Sequence, residues 1–351
     1  MSILSTSSVG WLISHESYIN KIYDTVTIQD KIKKYKINPK LFKIENGFTK
    51  KSAKISVSSD NSFVVQNFED VLDPNEVKKL FNIFKEETKF SNIFSDKSSV
   101  TRNNVEATDS AEQIYKNSGK ILNKVFGKNV RSDAIVASFN NDYYLFPPNC
   151  EFFSKDICEL PSVIGDRVYD LILLDPPWWN KYIRRKRSKN KKAAYTMIYN
   201  EDLKKLPLEN MISDHGIVVV WCTNSNKHQT ALLNDIFMKW QVKFYTKWYW
   251  IKITCSGAPI CSFSKPPRKQ PFEQIFIATK CASLKIPKSK IIVSVPSALH
   301  SHKPPLEEIL KEFLPNQPKC LEVFARYLLP KWTSWGLEVL RFQHNSLYIT
   351  D

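Results

Sequence analysis

No two of the chain's seven cysteines (150, 158, 222, 255, 261, 281 and 320) form a Cys-x-x-Cys pair, and their number is odd. That argues against a zinc ribbon and against a disulfide framework, which points to a reducing compartment. The chain also lacks a P-loop and a G-x-G-x-x-G stretch, so any nucleotide-type site must be built otherwise. Long apolar runs are missing: "IVVVWC", at 217–222, is far too short to span a bilayer, so no membrane partner is expected. The N-terminal "MSILSTSSVGWLISHESYINK" has neither the basic start nor the sustained apolar core of a signal peptide. There is no internal repeat. His300 and His302 have an H-x-H spacing, but no carboxylate or cysteine completes a ligand set, and no metal is expected. Acid is scarce beside base: 35 acidic against 51 basic residues give a net charge of +16, which favours a polyanionic partner.

What is present is the composition of a folded protein, 42% hydrophobic and 25% charged over 351 residues, enough for one large core and a smaller module. Residues 1–130 read as an N-terminal accessory module. In "FEDVLDPNEVKKLFNIFKEETKF", Asp73 is placed to cap a helix, Pro74 suits its first turn, and Val77, Leu80, Phe81 and Phe84 share one face. A second helix is expected in "DSAEQIYKNSGKILNKVFG", opened by Asp109 and closed by Gly127. From 131 to 351, short apolar runs alternate with amphipathic ones. Strands are expected in "VYDLILLD", "GIVVVWC", "KWYWIKIT", "EQIFIAT", "KIIVSV", "CLEVFA" and "GLEVLRF", with helices in "SNKHQTALLNDIFMKW" and "PLEEILKEFL". Near-continuous apolar strands separated by helices imply an α/β sheet covered on both faces, with ligands at the carboxyl ends of its strands.

One such end is peculiar. "LILLDPPWWN", Leu171 to Asn180, runs from a buried strand into an acid, two prolines and two tryptophans. The exocyclic amine of a nucleobase is a poor nucleophile, because its lone pair is delocalised into the ring. Two acceptors that bond both amine hydrogens pull the nitrogen toward a tetrahedral geometry and free that pair. Asp175 and the Pro176 carbonyl can supply them. The rings of Pro176 and Pro177 fix φ and remove competing donors, and Trp178 offers a face for a flipped base. The duller alternative is a strand-ending turn with two aromatics in the core.

"DPPW" after an apolar strand resembles the loop of the eukaryotic adenosine-N6 methyltransferases related to the catalytic subunit of the messenger-RNA enzyme. The likeness covers roughly 140–345, through "FPPNCEFFSKDI", "WCTN", "SHKPP" and "LEVFAR". The ending "LLPKWTSWGLEVLRFQH" is closest to the methyltransferase-like protein 4 branch, whose enzymes act on 2′-O-methyladenosine of U2 small nuclear RNA. The resemblance implies a Rossmann-like α/β methyltransferase domain with S-adenosylmethionine as donor. By position it assigns Asp156 and Ile157 to the donor's adenine, Asp175 to its amino group as well as to the target amine, Lys303 to its carboxylate, and Arg326 and Glu338 to its ribose. Each also has a duller reading: Asp156 as a turn cap, Lys303 as a solvated lysine, and Arg326 as a structural partner of Glu322. Gly336-Leu337 stands where the family often has Gly-Asn.

Just after the loop, "KYIRRKRSKNKK" (181–192) carries eight basic residues in twelve and no acid. Lys181, Arg184, Arg185, Lys186 and Arg187 are the expected phosphate contacts, although a solvated run or a nuclear-localisation patch has the same composition. The expectation is an adenine-N6 methyltransferase acting as a monomer in the nucleus on RNA, a small nuclear RNA first. DNA adenine is the nearest alternative, and a catalytically silent RNA-binding scaffold is the alternative from another class.

Overall fold

The computed structural model describes residues 2–28, 31–47, 74–94, 104–118, 122, 124–179, 197–264, 268–281 and 283–350. The first strands are β1 (Ile3–Ser7), β2 (Gly10–Ile13), β3 (Val26–Ile28), β4 (Lys31–Lys33) and β5 (Tyr35–Ile37). After the helices Pro74–Glu87, Phe90–Ile93 and Val105–Asn117 come β6 (Val125–Lys128), β7 (Ala134–Phe139), β8 (Asp142–Phe146), β9 (Glu151–Ser154) and β10 (Tyr169–Leu174). The remainder are β11 (Ile212–Cys222), β12 (Lys243–Lys252), β13 (Phe272–Thr279), β14 (Ile291–Ser294), β15 (Cys320–Val323), β16 (Trp332–Trp335) and β17 (Tyr348–Thr350).

Eleven of these make one mixed sheet in the order β1-β2-β14-β12-β13-β11-β10-β15-β16-β9-β6. Strand β10 lies in its middle, parallel to β11 and to β15, and β15, β16 and β9 continue in parallel. Side chains alternate across the sheet, so Leu171 and Leu173 of β10 join one core with Ile217, Val219 and Trp221. Ile172 and Leu174 join the opposite core with Val218, Val220 and Cys222. Both faces are covered, which is why these strands read as unbroken apolar runs rather than alternating ones. The fold is a mixed α/β, Rossmann-like fold.

Six of the seven expected strands are present. The seventh is displaced: "GLEVLRF" forms tight turns, with Val339, Arg341 and Gln343 donating to Gly336, Glu338 and Leu340, and the strand is the preceding Trp332–Trp335. Gly336 follows it, at a close approach where a Cβ would stand 2.8 Å from the Ala325 carbonyl oxygen. The 225–240 helix forms with a π turn at Leu232–Ile236, and the 305–314 segment is helical at Glu307–Leu310. The helix Pro74–Glu87 buries Val77, Phe81 and Phe84 against Leu12, Tyr249, Phe272 and Val293. Each such buried side chain contributes roughly 1.5–3 kcal/mol. Asp73, its expected cap, lies outside the described residues. The second helix runs from Val105 to Asn117, and Gly127 belongs instead to β6, opposite Phe152 of β9.

The division at residue 130 has no counterpart in the strand pairing. Strands β1 and β2 extend the large sheet at β14, β3 pairs with β7, and β5 pairs with β17. At Gly10 the backbones nearly touch, since a Cβ would meet the Ile291 carbonyl oxygen at 1.9 Å. Strands β1 and β2 thus extend the large sheet, while β3 and β5 pair with later strands in the two smaller sheets. Among the described residues no helix is long and apolar enough to cross a membrane.

Candidate active site

Asp175 follows directly on β10, where the backbone amide still bonds the Val323 carbonyl of β15, at 3.3 Å. The two prolines then turn the chain. The amide of Trp178 donates to the Pro176 carbonyl at 2.8 Å, and that of Ile198 to the Pro177 carbonyl at 2.9 Å. A carbonyl oxygen has two lone pairs, so Pro176 keeps one acceptor position. Trp178 is 4% exposed, and its indole N–H donates to the Trp221 carbonyl at the end of β11, at 2.8 Å. The expected stacking face is thus packed into the core, and what the ring does here is pin the loop to β11. His228, also buried, braces the other side, with Nε2 2.9 Å from the Trp179 carbonyl and Nδ1 2.7 Å from the Asn200 side chain.

Lys303 is not a solvated lysine. Its ammonium donates to both oxygens of Asp175, at 2.9 and 3.0 Å, lies 3.2 Å from a Glu273 oxygen, and stands over the Trp221 ring. Burial works against this charge, and Asp175 and Glu273 more than restore it, so the pKa lies above the usual lysine value. Glu273, at the start of β13, also pairs with Lys252 at the end of β12. Burial alone would raise its carboxyl, but Lys252 and Lys303 hold it at about 2. Glu322, inside β15, has the opposite fate. Burial first, and the charge of Asp175 second, push it up to about 8, and its Oε2 is buried with no partner. At neutral pH Glu322, behind the loop, therefore keeps its proton.

The residues expected on the donor side line up along the carboxyl ends of the four adjacent parallel strands. Asp156 follows β9, Glu338 follows β16, Arg326 follows β15 and Asp175 follows β10. Asp156 is exposed and caps a short 3₁₀ turn, with its carboxylate accepting from the Cys158 amide at 2.9 Å, while its carbonyl accepts from the Trp335 indole at 3.2 Å. The cap reading therefore describes its side chain, which keeps a second oxygen. Ile157 is half-buried against the core next to it. Arg326, 8% exposed, pairs with Glu338 at 3.1 Å, rather than with Glu322, and Glu338 also pairs with Arg341. The basic residues Lys181, Arg184, Arg185, Lys186 and Arg187 lie outside the described residues.

Asp175, Lys303 and the Arg326–Glu338 pair thus gather charges of both signs around one row of strand ends, with Glu322 buried behind them. Such a set suits a zwitterionic ligand: an ammonium group for the carboxylates and the orphaned Glu322 oxygen, and a carboxylate for Lys303. Residues 169–338, which contain all of these except Asp156 and Ile157, match the family model MT-A70. The chain carries an MT-A70 domain.

Among proteins similar to it is the mouse (Mus musculus) N(6)-adenine-specific methyltransferase METTL4, 36% identical over 59% of this chain and 45% of that protein. The DNA N6-methyl methyltransferase of Caenorhabditis elegans is 28% identical over 96% of this chain and 97% of its own length. The N6-methyladenosine RNA methyltransferase MTA1 of Cryphonectria parasitica is 38% identical over 52% and 55%. The chain spans about half the length of the METTL4 relatives it matches, 45% and 47%. Within the MT-A70 domain, three functional-site residues escaped the reading of the sequence. Glu322 had a visible signal, being a lone acid in the apolar strand "CLEVFA". Glu273 and Lys252 had none, because only the antiparallel pairing of β12 with β13 brings them together.

Proposed function

We propose that this chain is an S-adenosylmethionine-dependent adenine-N6 methyltransferase. It acts as a single chain in the nucleus, with 2′-O-methyladenosine in U2 small nuclear RNA as its preferred substrate. The observation that carries the reading is the Asp175-Pro176-Pro177-Trp178 loop at the end of β10, with its carboxylate gripped by Lys303, its Trp178 indole tied to β11 and its Pro177 carbonyl to Ile198.

When bound, S-adenosylmethionine supplies an electrophilic methyl group. Asp156 and Ile157 would hold its adenine, Arg326 and Glu338 its ribose, Lys303 its carboxylate, and Asp175 with Glu322 its amino group. For the target adenine, Asp175 and the Pro176 carbonyl each retain a lone pair and accept the two amine hydrogens. The nitrogen pair is thereby turned out of the ring toward the methyl carbon. Lys303 fixes the carboxylate before the substrate arrives, so little reorganisation is needed during reaction. Glu322 stays protonated and adds no second negative charge behind Asp175. The surplus proton of the alkylated amine leaves to solvent. The basic stretch 181–192 follows the loop by three residues and would hold the phosphates beside the flipped base.

DNA adenine is the second reading, favoured by the nearly full-length alignment with the worm protein named for DNA methylation. The two are separated by incubating the chain with donor and single-stranded oligonucleotides that differ only in the target sugar (2′-O-methyl, 2′-hydroxyl or 2′-deoxy), then analysing nucleosides by mass spectrometry. The largest yield of N6-methylated product is expected from the 2′-O-methyl substrate. A yield confined to the deoxy substrate would transfer the function to DNA. No product from any of the three would refute the activity.

A further inference from the structure

Apart from the large sheet, strands β4-β3-β7-β8 form a four-stranded sheet and β17-β5 a two-stranded one. Between them opens a groove of about 650 Å³, lined by Ile28, Tyr35, Val136, Tyr143, Tyr348 and Ile349. That volume lies within the range of pockets that hold organic ligands. Tyr143 is 53% exposed at the start of β8. The Tyr348 ring is fixed in place by its hydroxyl, which donates to the Phe342 carbonyl at 3.0 Å.

The edge strand β4 has an unusual inner side. Ile28 is paired with Lys31 and Val26 with Lys33. Residues directly opposite in an antiparallel pair share a face, and alternate residues of a strand return to it. Lys31 and Lys33 therefore lie on the face of Ile28, which is the face that lines the groove, and both are exposed. The acids of this region are engaged elsewhere: Asp24 with Lys34, Asp133 with Thr27 and Arg131, and Asp142 with His344. The result is a concavity with three tyrosine rings in its lining and two lysines along its rim, on a chain of net charge +16. Flat rings beside cations match a strand of unpaired bases on a phosphate backbone: bases stack on the rings and phosphates meet the ammonium groups.

We propose that this groove is a second binding site for single-stranded nucleic acid, separate from the catalytic loop. The choice of partner rests on the methyltransferase reading above. The site would hold part of the strand away from the reacting adenine and so raise the affinity for long substrates over short ones.

The test uses the full chain and fluorescently labelled single-stranded oligoribonucleotides and oligodeoxyribonucleotides, with anisotropy titrations at several salt concentrations. Lys31→Gln combined with Lys33→Gln should weaken binding and flatten the slope of log affinity against log salt by about 0.7 for each lost contact. Tyr143→Ala should weaken it roughly 5- to 100-fold, the loss of one stacked base, and Tyr143→Phe should restore it. All three side chains are exposed, so the variants should fold, and their donor binding by calorimetry should match the unaltered chain. Unchanged affinity and salt slope in the lysine variant, or unchanged affinity in Tyr143→Ala, would overturn the proposal. The lysines would then serve only to guard a sheet edge against pairing. In that case the unaltered chain would still bind and methylate the strand. If the unaltered chain neither binds nor methylates it, the methyltransferase reading fails as well.

Discussion

Replacing Lys303 with methionine removes a cation that touches both oxygens of Asp175. The pair is largely withdrawn from water, with side-chain exposures of 11% and 15%, and its two bonds are 2.9 and 3.0 Å long. Breaking a buried pair from one side leaves an uncompensated charge and costs about 3–5 kcal/mol. The value here should fall near the lower end, because Asp175 can still be solvated at its exposed edge and Glu273 keeps Lys252. Changing Asp175 to asparagine at the same time removes the stranded charge. The double variant should therefore be more stable than Lys303→Met alone, with a coupling energy of roughly 1.5–3 kcal/mol. Denaturant unfolding of the four proteins at neutral pH measures this, provided the slope of stability against denaturant is unchanged between them. Additivity of the two single effects to within about 0.5 kcal/mol would show that Lys303 and Asp175 do not act on one another, and the account of a carboxylate held in advance would fall.

Glu322 should impose a pH dependence of its own. Its folded pKa, about 8, lies above that of an unfolded glutamate, so the folded chain keeps a proton that the unfolded chain loses, and stability falls as pH rises through the interval between them. Glu322→Gln should flatten that decline, by up to roughly 4 kcal/mol at pH 8 relative to pH 5, in unfolding curves taken across the range; an unaltered pH profile would place Glu322 in water. Trp178→Phe should leave the Trp221 carbonyl without its donor at a buried strand end. The expected cost is about 1–3 kcal/mol in a denaturant unfolding experiment, and an unchanged midpoint would mean that the indole N–H does not anchor the loop.

The strand order could not be read from the chain, but the strands themselves could, because burial on both faces writes a short unbroken apolar run whatever its neighbours are. "VYDLILLD" and "GIVVVWC" carried that signal. "WTSW" did not, with Thr333 and Ser334 in its middle, and the more apolar "GLEVLRF" beside it drew the assignment although it folds into tight turns. The loop of Asp175 was legible because proline and tryptophan have few uses after a buried strand. Its mechanical details were not. That Trp178 turns inward to β11, that Lys303 reaches across 128 positions to Asp175, and that Arg326 prefers Glu338 all depend on which strand ends are neighbours. The N-terminal pairings were hidden for a related reason. These strands are short, yet β2, β3 and β5 find partners far along the chain, and local pattern contains no trace of such pairing.

The central claim is that Asp175 holds the target amine for methyl transfer. Its most direct measurement is the rate of N6-methyladenosine formation by Asp175→Ala under saturating donor and oligonucleotide, quantified by nucleoside mass spectrometry, with thermal unfolding run alongside to show that the protein is folded. Loss of one preorganised acceptor should lower the rate at least about 100-fold. A folded Asp175→Ala protein that methylates adenine at close to the unaltered rate would contradict the claim.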